Sequence, residues 1–343
     1  MTDVFNYELL RLARESLGLT QTALAARASV TQTLLSKYES GAAEPTAESL
    51  EKIAKVLNYP PAFFYGKSSS CVDGLAYHRK RATLSAKVRA RLEAQARLRM
   101  IDLETAIGKE EFASDLPRFE NVKPEVAARK LRKHWKLSPT KPIENLVELL
   151  ERNNVVVLQF DFQTDKIDGF FISLTDRVAC FAENAKGFPP DRQRFTLCHE
   201  LGHAVLHRNR LPGKGVEEEA NLFAAEFLAP SAGIINDFPG AVNPPILAAI
   251  KRKWKISMAA ALHRAFDLEV IDPDEYKREC IRLSAMGYRK SEPVMGVQEE
   301  QATLCRKILE QCAERSAKPL SEVLNLSRAI FNDRYPELAG GKQ

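Results

Sequence analysis

Apolar residues in the first 66 positions recur at helical spacing and are interrupted at short intervals by turn and capping residues. Leu9 and Ala13 belong to one such apolar stripe, which predicts an amphipathic helix. Thr20, Ser29 and Thr46 stand where N-caps are expected, because each can accept a hydrogen bond from the first turn of a following helix. The pattern predicts four short helices in quick succession.

The hydrophobic pattern changes twice further along the chain. A spacing of four between Leu84, Val88, Leu92 and Ala96 predicts one long helix over residues 83–110. Short runs rich in β-branched and aromatic residues then predict three strands of a small sheet, before the helical period returns. The predicted elements after the long helix are helices 124–136 and 142–152, strands 153–162, 168–173 and 177–182, helices 191–208 and 216–229, and a mostly helical remainder to residue 335.

Composition narrows the classes of protein. The chain has 343 residues, of which 45% are hydrophobic and 28% charged, so it is long enough for two or three domains and is not disordered throughout. No apolar run approaches the roughly 18 residues of a membrane span, and the N-terminus lacks the pattern of a secretory signal. Six cysteines, from Cys71 to Cys312, have no CxxC spacing and are typical of free thiols in a reducing compartment. We therefore expect a cytoplasmic protein without a membrane partner.

The net charge of +5 is concentrated in one stretch of the chain. Residues 67–100 hold nine Lys and Arg against two Asp and Glu, a net charge of +7, whereas residues 1–66 carry a net charge of −1. This stretch is either a solvated helix face or a basic arm that contacts phosphate or an acidic partner.

Two of the short helices, predicted at 20–28 and 30–40, have the spacing of a helix-turn-helix motif. In that motif the second helix enters the major groove, where Gln can pair with adenine and a Thr methyl can contact thymine. The candidate DNA-binding side chains of the second helix are Thr31, Gln32, Thr33, Ser36 and Lys37. Gln21, at the start of the preceding helix, is placed to reach a phosphate oxygen.

This N-terminal region resembles the DNA-binding domain of the phage-repressor (Xre/Cro/CI) family. The resemblance rests on apolar, small and turn positions, namely Leu24, Ala25, Ala28, Leu35, Tyr38 and Gly41. It implies that Gln21, Gln32 and Thr33 contact a double-stranded DNA operator, and that a homodimer binds a pseudo-palindromic site. A helical bundle used for protein contact or dimerisation is the alternative, and the near-neutral charge of the region favours it.

The segment HELGH at 199–203 lies inside a predicted helix. Its i, i+4 spacing puts His199 and His203 on one face, where both imidazoles can reach one Zn²⁺. Glu200 lies beside the metal and can take a proton from water that the zinc activates, so we predict that it is the catalytic base. Mn²⁺ is the other candidate metal. His207 continues the spacing, but helical drift turns it away from the face of His199, so we expect a helix-end histidine there.

Two imidazoles leave a catalytic zinc ion one protein ligand short. The next predicted helix carries three consecutive acids, Glu217, Glu218 and Glu219, of which only one can face the metal. Glu217 shares a face with Asn221, so we expect Glu217 to bind the metal and Asn221 to hydrogen-bond a ligand histidine. This pair resembles the Glu-x-x-x-Asp helix of thermolysin-like zincins, with Asn in place of Asp. Glu218 and Glu219 are expected to be solvated.

The segments FTLCHELGHAVLH and EEEANLFAAEFLAP, with the strands before them, resemble the ImmA/IrrE metallopeptidase family over residues 75–293. The resemblance implies a small zincin-like core, a cytoplasmic location and site-specific cleavage of a helix-turn-helix repressor. Such cleavage would derepress genes of a stress, phage or mobile-element circuit.

The fold class predicted from these patterns is multi-domain. An all-α helix-turn-helix bundle is followed by an α+β zincin-like metallopeptidase core and a mostly helical C-terminal region. The predicted boundaries are 1–66 for the Xre-type DNA-binding domain, 67–120 for a basic linker and long helix, 121–240 for the zincin-like domain and 241–343 for a helical module.

Three functions are compatible with these residues. The favoured one is a DNA-binding transcriptional regulator with an active zinc endopeptidase, because the candidate ligands and the base are all present. In the second, the zincin-like domain is a sensor or dimerisation scaffold without hydrolysis. In the third, the chain is an antitoxin-like repressor that binds a toxin-like protein partner.

Overall fold

The computed structural model describes residues 4–66, 84–108, 112–174, 177–183, 187–207, 214–288, 291–293 and 297–338. Cys71 and residues 67–83 of the predicted basic stretch lie outside these ranges. Within the described ranges, no helix is both long enough and apolar enough to cross a membrane. The described residues group into two compact units, one formed within 1–112 and 303–343 and the other within 113–302.

The chain is mostly helical in the described ranges. The helices follow one another as α1 (Tyr7–Ser16), α2 (Gln21–Ala28), α3 (Gln32–Glu39), α4 (Ala47–Leu57), α5 (Ala86–Ile107), α6 (Pro124–His134), α7 (Leu146–Arg152), α8 (Pro190–Leu206), α9 (Lys214–Leu228), α10 (Ser231–Ile234), α11 (Pro244–Trp254), α12 (Met258–Asp267), α13 (Pro273–Ala285), α14 (Leu304–Ser316), α15 (Leu320–Val323) and α16 (Arg328–Arg334). Short 3-10 helices occupy Pro61–Tyr65, Ile235–Asp237 and Pro336–Leu338. The strands are β1 (Val155–Phe160), β2 (Gly169–Leu174) and β3 (Arg177–Glu183).

The first unit contains the predicted short helices α1 to α4, and α1 packs against both α3 and α5. Thr20, Thr31 and Thr46 are N-caps whose side-chain oxygens accept a hydrogen bond from the backbone N–H three residues on. The predicted N-cap at Ser29 is wrong. Ser29 has a left-handed backbone (φ 55°) that ends α2, so the next helix begins only after Thr31.

The C-terminal segment belongs to the same unit as the helix-turn-helix. Arg334 of α16 is buried and donates hydrogen bonds to the carboxylate of Asp102 on α5 and to the hydroxyl of Tyr59. The Tyr335 hydroxyl also donates to Asp102. The predicted boundaries followed sequence order, whereas the contacts group the described residues 303–338 with the N-terminal helices.

The second unit is built on a three-stranded sheet in the order β1-β3-β2. β1 runs parallel to β3, with Val157 opposite Cys180, and β2 runs antiparallel to β3, with Phe171 opposite the same residue. α8 packs on β2 and β3, and α9 packs against α8 and α6. The predicted α+β arrangement is therefore present, with α8 over the sheet and the next helix, α9, against α8.

Two glycines allow the close approach of the elements around α8. A Cβ on Gly202 would lie 3.0 Å from Cδ1 of Phe223 and 3.3 Å from the backbone of Ala220, so a larger residue there would push α9 away. A Cβ on Gly169 would lie 2.4 Å from Cγ2 of Thr196, which brings the start of β2 directly against α8. Helix α8 is thus fixed on two sides, by α9 and by β2.

Candidate metal centre and DNA-binding surface

The HELGH segment lies on α8, which begins at Pro190 with its ring at the first helical position, where the missing N–H costs nothing. The helix presents His199 and His203 on one face, and their Nε2 atoms are 3.0 Å apart. The side chain of His203 is fully buried, whereas that of His199 is 13% exposed. One imidazole is therefore fixed by packing, and the other borders solvent.

Helix α9 brings Glu217 to the same point. One of its carboxylate oxygens lies 3.5 Å from Nε2 of His199, and the other lies 3.6 Å from Nε2 of His203. Zinc bonds of about 2.0–2.1 Å at tetrahedral angles would separate neighbouring donor atoms by about 3.3–3.4 Å. One donor atom from each of the three residues lies within 4.8 Å of the other two, which is close enough to share one ion, and two imidazoles with one carboxylate are a donor set that zinc uses. The structure brings the three predicted ligands together.

Asn221 lies one turn after Glu217 on α9, and its Oδ1 is 2.8 Å from Nδ1 of His199. The carbonyl oxygen can only accept, so Nδ1 of His199 carries the proton and Nε2 keeps its lone pair for a metal. The sequence pattern Glu-x-x-x-Asn predicted this contact.

A second chain of hydrogen bonds was missed by the sequence reasoning. Nδ1 of His207, the residue that ends α8, lies 3.1 Å from Nδ1 of His203, and its Nε2 lies 2.7 Å from Oε2 of Glu219. His207 ends α8, as expected, and its ring is fully buried against His203. Glu218 is exposed, as expected, but Glu219 is not simply solvated, because it holds His207.

The Glu219 carboxylate ends this series of hydrogen bonds, and it determines which ring nitrogens of His207 and His203 carry the protons. The Glu219 carboxylate accepts the Nε2–H of His207, which leaves Nδ1 of His207 as an acceptor. Nδ1 of His203 must then be the donor, and Nε2 of His203 keeps the lone pair that faces Glu217 and His199. Both candidate ligand histidines are therefore held in the tautomer that binds a metal through Nε2. The i, i+4 repeat of His199, His203 and His207 was the available signal.

Glu200 is buried on α8, directly after the first candidate ligand. Burial by itself lowers the pKa of His199, but the carboxylates of Glu217 and Glu200 outweigh it, and the pKa is raised. The carboxylates of Glu217 and Glu200 beside His199 favour a bound cation.

Cys198 precedes His199 but lies in the core. Burial raises the pKa of its thiol, so it stays protonated. Among the described residues, Cys180, Cys198, Cys280, Cys305 and Cys312 are free thiols.

The candidate DNA-binding residues lie along α3 and at its start. Gln32, Thr33 and Lys37 are exposed and Ser36 is half-buried. Thr31 is also exposed, and its side chain caps the helix by accepting a hydrogen bond from the N–H of Leu34. The exposed side of α3 can therefore present polar side chains to a DNA groove while the helix stays intact.

Gln21 holds Gln32 in place, which the sequence reasoning did not foresee. The Gln32 side-chain amide donates to Oε1 of Gln21 at 3.0 Å, and the Gln21 amide donates to Glu39 at 2.8 Å. Glu39 is buried and is paired with Arg14 at 2.6 Å. A phosphate contact by Gln21 stays a prediction, and its amide also orients the neighbouring glutamine.

Two family models match separate parts of the chain. Residues 10–64, which contain α2 and α3, match the family described as helix-turn-helix. Residues 150–266, which contain the sheet and the candidate metal ligands, match the IrrE N-terminal-like domain. A comparison with proteins of curated function found no match. The chain thus carries a helix-turn-helix domain of the kind that binds DNA over residues 10–64 and a domain similar to the IrrE N-terminal-like family over residues 150–266.

Proposed function

We propose that the second unit is a zinc-dependent endopeptidase. His199, His203 and Glu217 would bind the metal, Asn221 would orient His199, and Glu200 would be the catalytic base. The observation that carries the proposal is that the two Nε2 atoms are 3.0 Å apart and that each lies 3.5–3.6 Å from one oxygen of the Glu217 carboxylate. Zinc is preferred to manganese because a compact set of two imidazoles and one carboxylate suits tetrahedral coordination.

The chemistry would be the hydrolysis of a peptide bond. Zinc bound by such a set supplies a Lewis acid that activates water and polarises a carbonyl. Glu200 accepts one proton from the attacking water and passes it to the nitrogen of the leaving amine as the C–N bond breaks. Burial of Glu200 keeps this proton transfer away from bulk solvent.

The sheet offers a way to hold an extended substrate. β2 pairs on one side with β3 and is an edge strand of the sheet in the described residues, and its start lies against α8 at Gly169. An extended peptide can add to such an edge through backbone hydrogen bonds that do not depend on its side chains. The scissile bond would then lie along the helix that carries Glu200.

We infer that the substrate is a repressor-type protein of a stress, phage or mobile-element circuit, since a DNA-binding unit and a peptidase unit are joined in one chain. The test is a cleavage assay with the full chain and a purified helix-turn-helix repressor encoded by a neighbouring gene. We expect cleavage at one bond, loss of cleavage on chelation and recovery with one equivalent of zinc. A repressor that stays intact while zinc is bound would contradict this substrate.

The first unit would bind a double-stranded DNA operator as a homodimer. We expect Gln32→Ala to cost about 1–3 kcal/mol of binding free energy on the preferred site and to relax specificity at one base pair. The site can be selected from a random DNA library with the wild-type chain, and the affinities then measured on it and on each single-base variant. An equal loss on all sequences would instead make Gln32 a phosphate contact.

A further inference from the structure

The segment 118–141, which contains α6, is strongly basic. It holds eight Lys and Arg against two acids, Glu120 and Glu125, a net charge of +6. The formal net charge of the whole chain is +5, so all other residues together sum to −1. The segment belongs to the second unit and is distinct in sequence from the basic stretch 67–100.

Helix α6 packs one side against α9 and α8 and leaves its basic side exposed. Ala128 and Leu131 are fully buried, whereas Lys130 and Lys133 are exposed. An α-helix turns about 100° per residue, so Arg129, Lys130 and Lys133 fall within about 100° of one another, opposite the buried residues. The outer side of α6 is therefore a basic face.

Other lysines lie at the two ends of α6. Lys123 is the N-cap residue, and Lys136 follows the C-cap residue directly. The buried guanidinium of Arg132 donates to the carbonyl oxygens of Ser138 and Lys141, which holds the following turn against the helix. Together these residues form a set of five, the α6 lysines: Lys123, Lys130, Lys133, Lys136 and Lys141.

The α6 lysines do not hold the fold together. All five are exposed, and within the part of the chain that the structure describes none of them forms an ion pair. By contrast, Arg129 is paired with Glu226 at 3.1 Å and His134 with Asp115 at 2.6 Å. The five ammonium groups therefore face solvent with their charges uncompensated by a neighbouring acid.

Their placement also opposes the local preferences of a helix. Lys123 cannot accept a hydrogen bond from the first turn, and the positive end of the helix dipole repels its charge. Lys130 and Lys133 are three residues apart, so their like charges repel each other. Lys133 lies in the last turn, where a cation is favourable, but Lys123 and Lys130 have no such explanation. Residues that break local rules without a compensating contact are expected at functional surfaces.

The chemistry of this surface suits a phosphate backbone. Phe119, Val122 and Leu137 pack against the core, and no large apolar side chain of the segment 118–141 is exposed. A protein partner would need apolar anchors at the centre of its interface, where lysine is depleted, and a membrane surface would need an apolar helix face. Protein–DNA interfaces are polar and strongly positive, and lysine binds phosphate as a point charge.

We propose that the α6 lysines bind the phosphate backbone of double-stranded DNA without reading its sequence. The proposal does not depend on peptidase activity, and it gives the second unit its own contact with DNA. Residues 1–66 carry a net charge of −1, so the helix-turn-helix region alone supplies little electrostatic attraction. Each lysine–phosphate contact releases counterions, so the slope of log affinity against log salt is about −0.9 per contact.

Replacing both Lys130 and Lys133 with glutamine in the full chain tests the proposal. Binding to a random-sequence DNA duplex would be measured by fluorescence anisotropy at several salt concentrations. Two lost contacts should make the slope shallower by about 1.8 and lower the affinity about 10- to 100-fold at about 0.1 M salt. Glutamine has a helix propensity close to that of lysine, so the melting temperature should not fall.

Two further variants separate the surface from the total charge. Lys166→Gln combined with Lys277→Gln removes two charges from exposed lysines elsewhere in the same unit and is the matched control. We expect it to leave the slope and the affinity nearly unchanged. Lys130→Arg combined with Lys133→Arg keeps both charges on α6 and should bind DNA as the wild type does.

Equal losses in the two glutamine variants would show that only net charge matters and would overturn the proposal, as would an unchanged slope in the α6 variant. Polyglutamate and phosphatidylserine vesicles represent an acidic protein and a membrane. If binding to either of these depends on Lys130 and Lys133 while binding to DNA does not, the surface has another partner and the DNA assignment is wrong. A shallower slope in the α6 glutamine variant alone, restored by arginine, supports it.

Discussion

Replacing Glu219 with alanine is expected to weaken zinc binding about 10- to 100-fold, although Glu219 is not a candidate ligand. Its carboxylate accepts the Nε2–H of His207, whose Nδ1 in turn faces Nδ1 of His203. Without that acceptor, the proton of His207 can move to its Nδ1. Nδ1 of His203 then has no acceptor, so the proton of His203 can move to Nε2, the atom that would bind zinc. The dissociation constant of zinc, measured by competition with a chelator of known affinity, is the direct test.

The neighbouring Glu218 provides a matched control. Glu218→Ala removes the same negative charge one residue away, from an exposed side chain. We expect it to change zinc affinity much less than Glu219→Ala, because a surface charge is screened by solvent. Glu219→Gln keeps an oxygen that can accept from His207 and should recover part of the affinity. Equal losses in the two alanine variants would show that only the charge of this helix matters and would contradict the hydrogen-bonded relay.

Much of the candidate metal centre could be predicted because its geometry is local. The i, i+4 spacing of His199 and His203 requires only that the segment be helical, and the same spacing relates Glu217 to Asn221. The meeting of the two helices also has a local signal in Gly202, whose missing side chain lets α9 approach. These features follow from the helical repeat and can be predicted without the rest of the fold.

The features that sequence reasoning missed depend on contacts between distant residues. Arg194 is buried and pairs with Glu300, 106 residues further along the chain. Arg334 pairs with Asp102 across 232 residues, which groups the C-terminal helices with the helix-turn-helix unit. The hydrophobic periodicity of either segment does not indicate which residue is the partner. Burial of a charge requires a partner, but it does not determine where in the sequence that partner lies.

The error at Ser29 has a different cause. Ser29 and Thr31 both suit an N-cap, and Gln32 stands three residues after Ser29 as a capping box requires. The structure uses Ser29 to end α2 in a left-handed conformation, and Thr31 caps the next helix instead. Polar residues in a tight turn between two helices can serve either helix, so their local preferences do not decide which one they cap.

Replacing Glu200 with glutamine is expected to abolish most peptide cleavage while zinc stays bound. Glutamine has nearly the same size and can occupy the same buried position, but its amide cannot accept a proton from water at neutral pH. General-base catalysis contributes about 100- to 10,000-fold, so kcat/KM should fall by that range. The rate would be measured on the cleaved repressor, with zinc content determined on the same preparation.

This variant also separates the first of the three functions, which needs hydrolysis, from the other two. DNA binding depends on the first unit, so Glu200→Gln should leave operator affinity unchanged, and Glu218→Gln should leave both cleavage and DNA binding unchanged. If Glu200→Gln keeps zinc and DNA binding but loses derepression in cells, hydrolysis is the function of the second unit. If the wild-type chain and the variant regulate the same genes equally, the second unit acts through binding alone, because the one change that removes its base would then have no consequence.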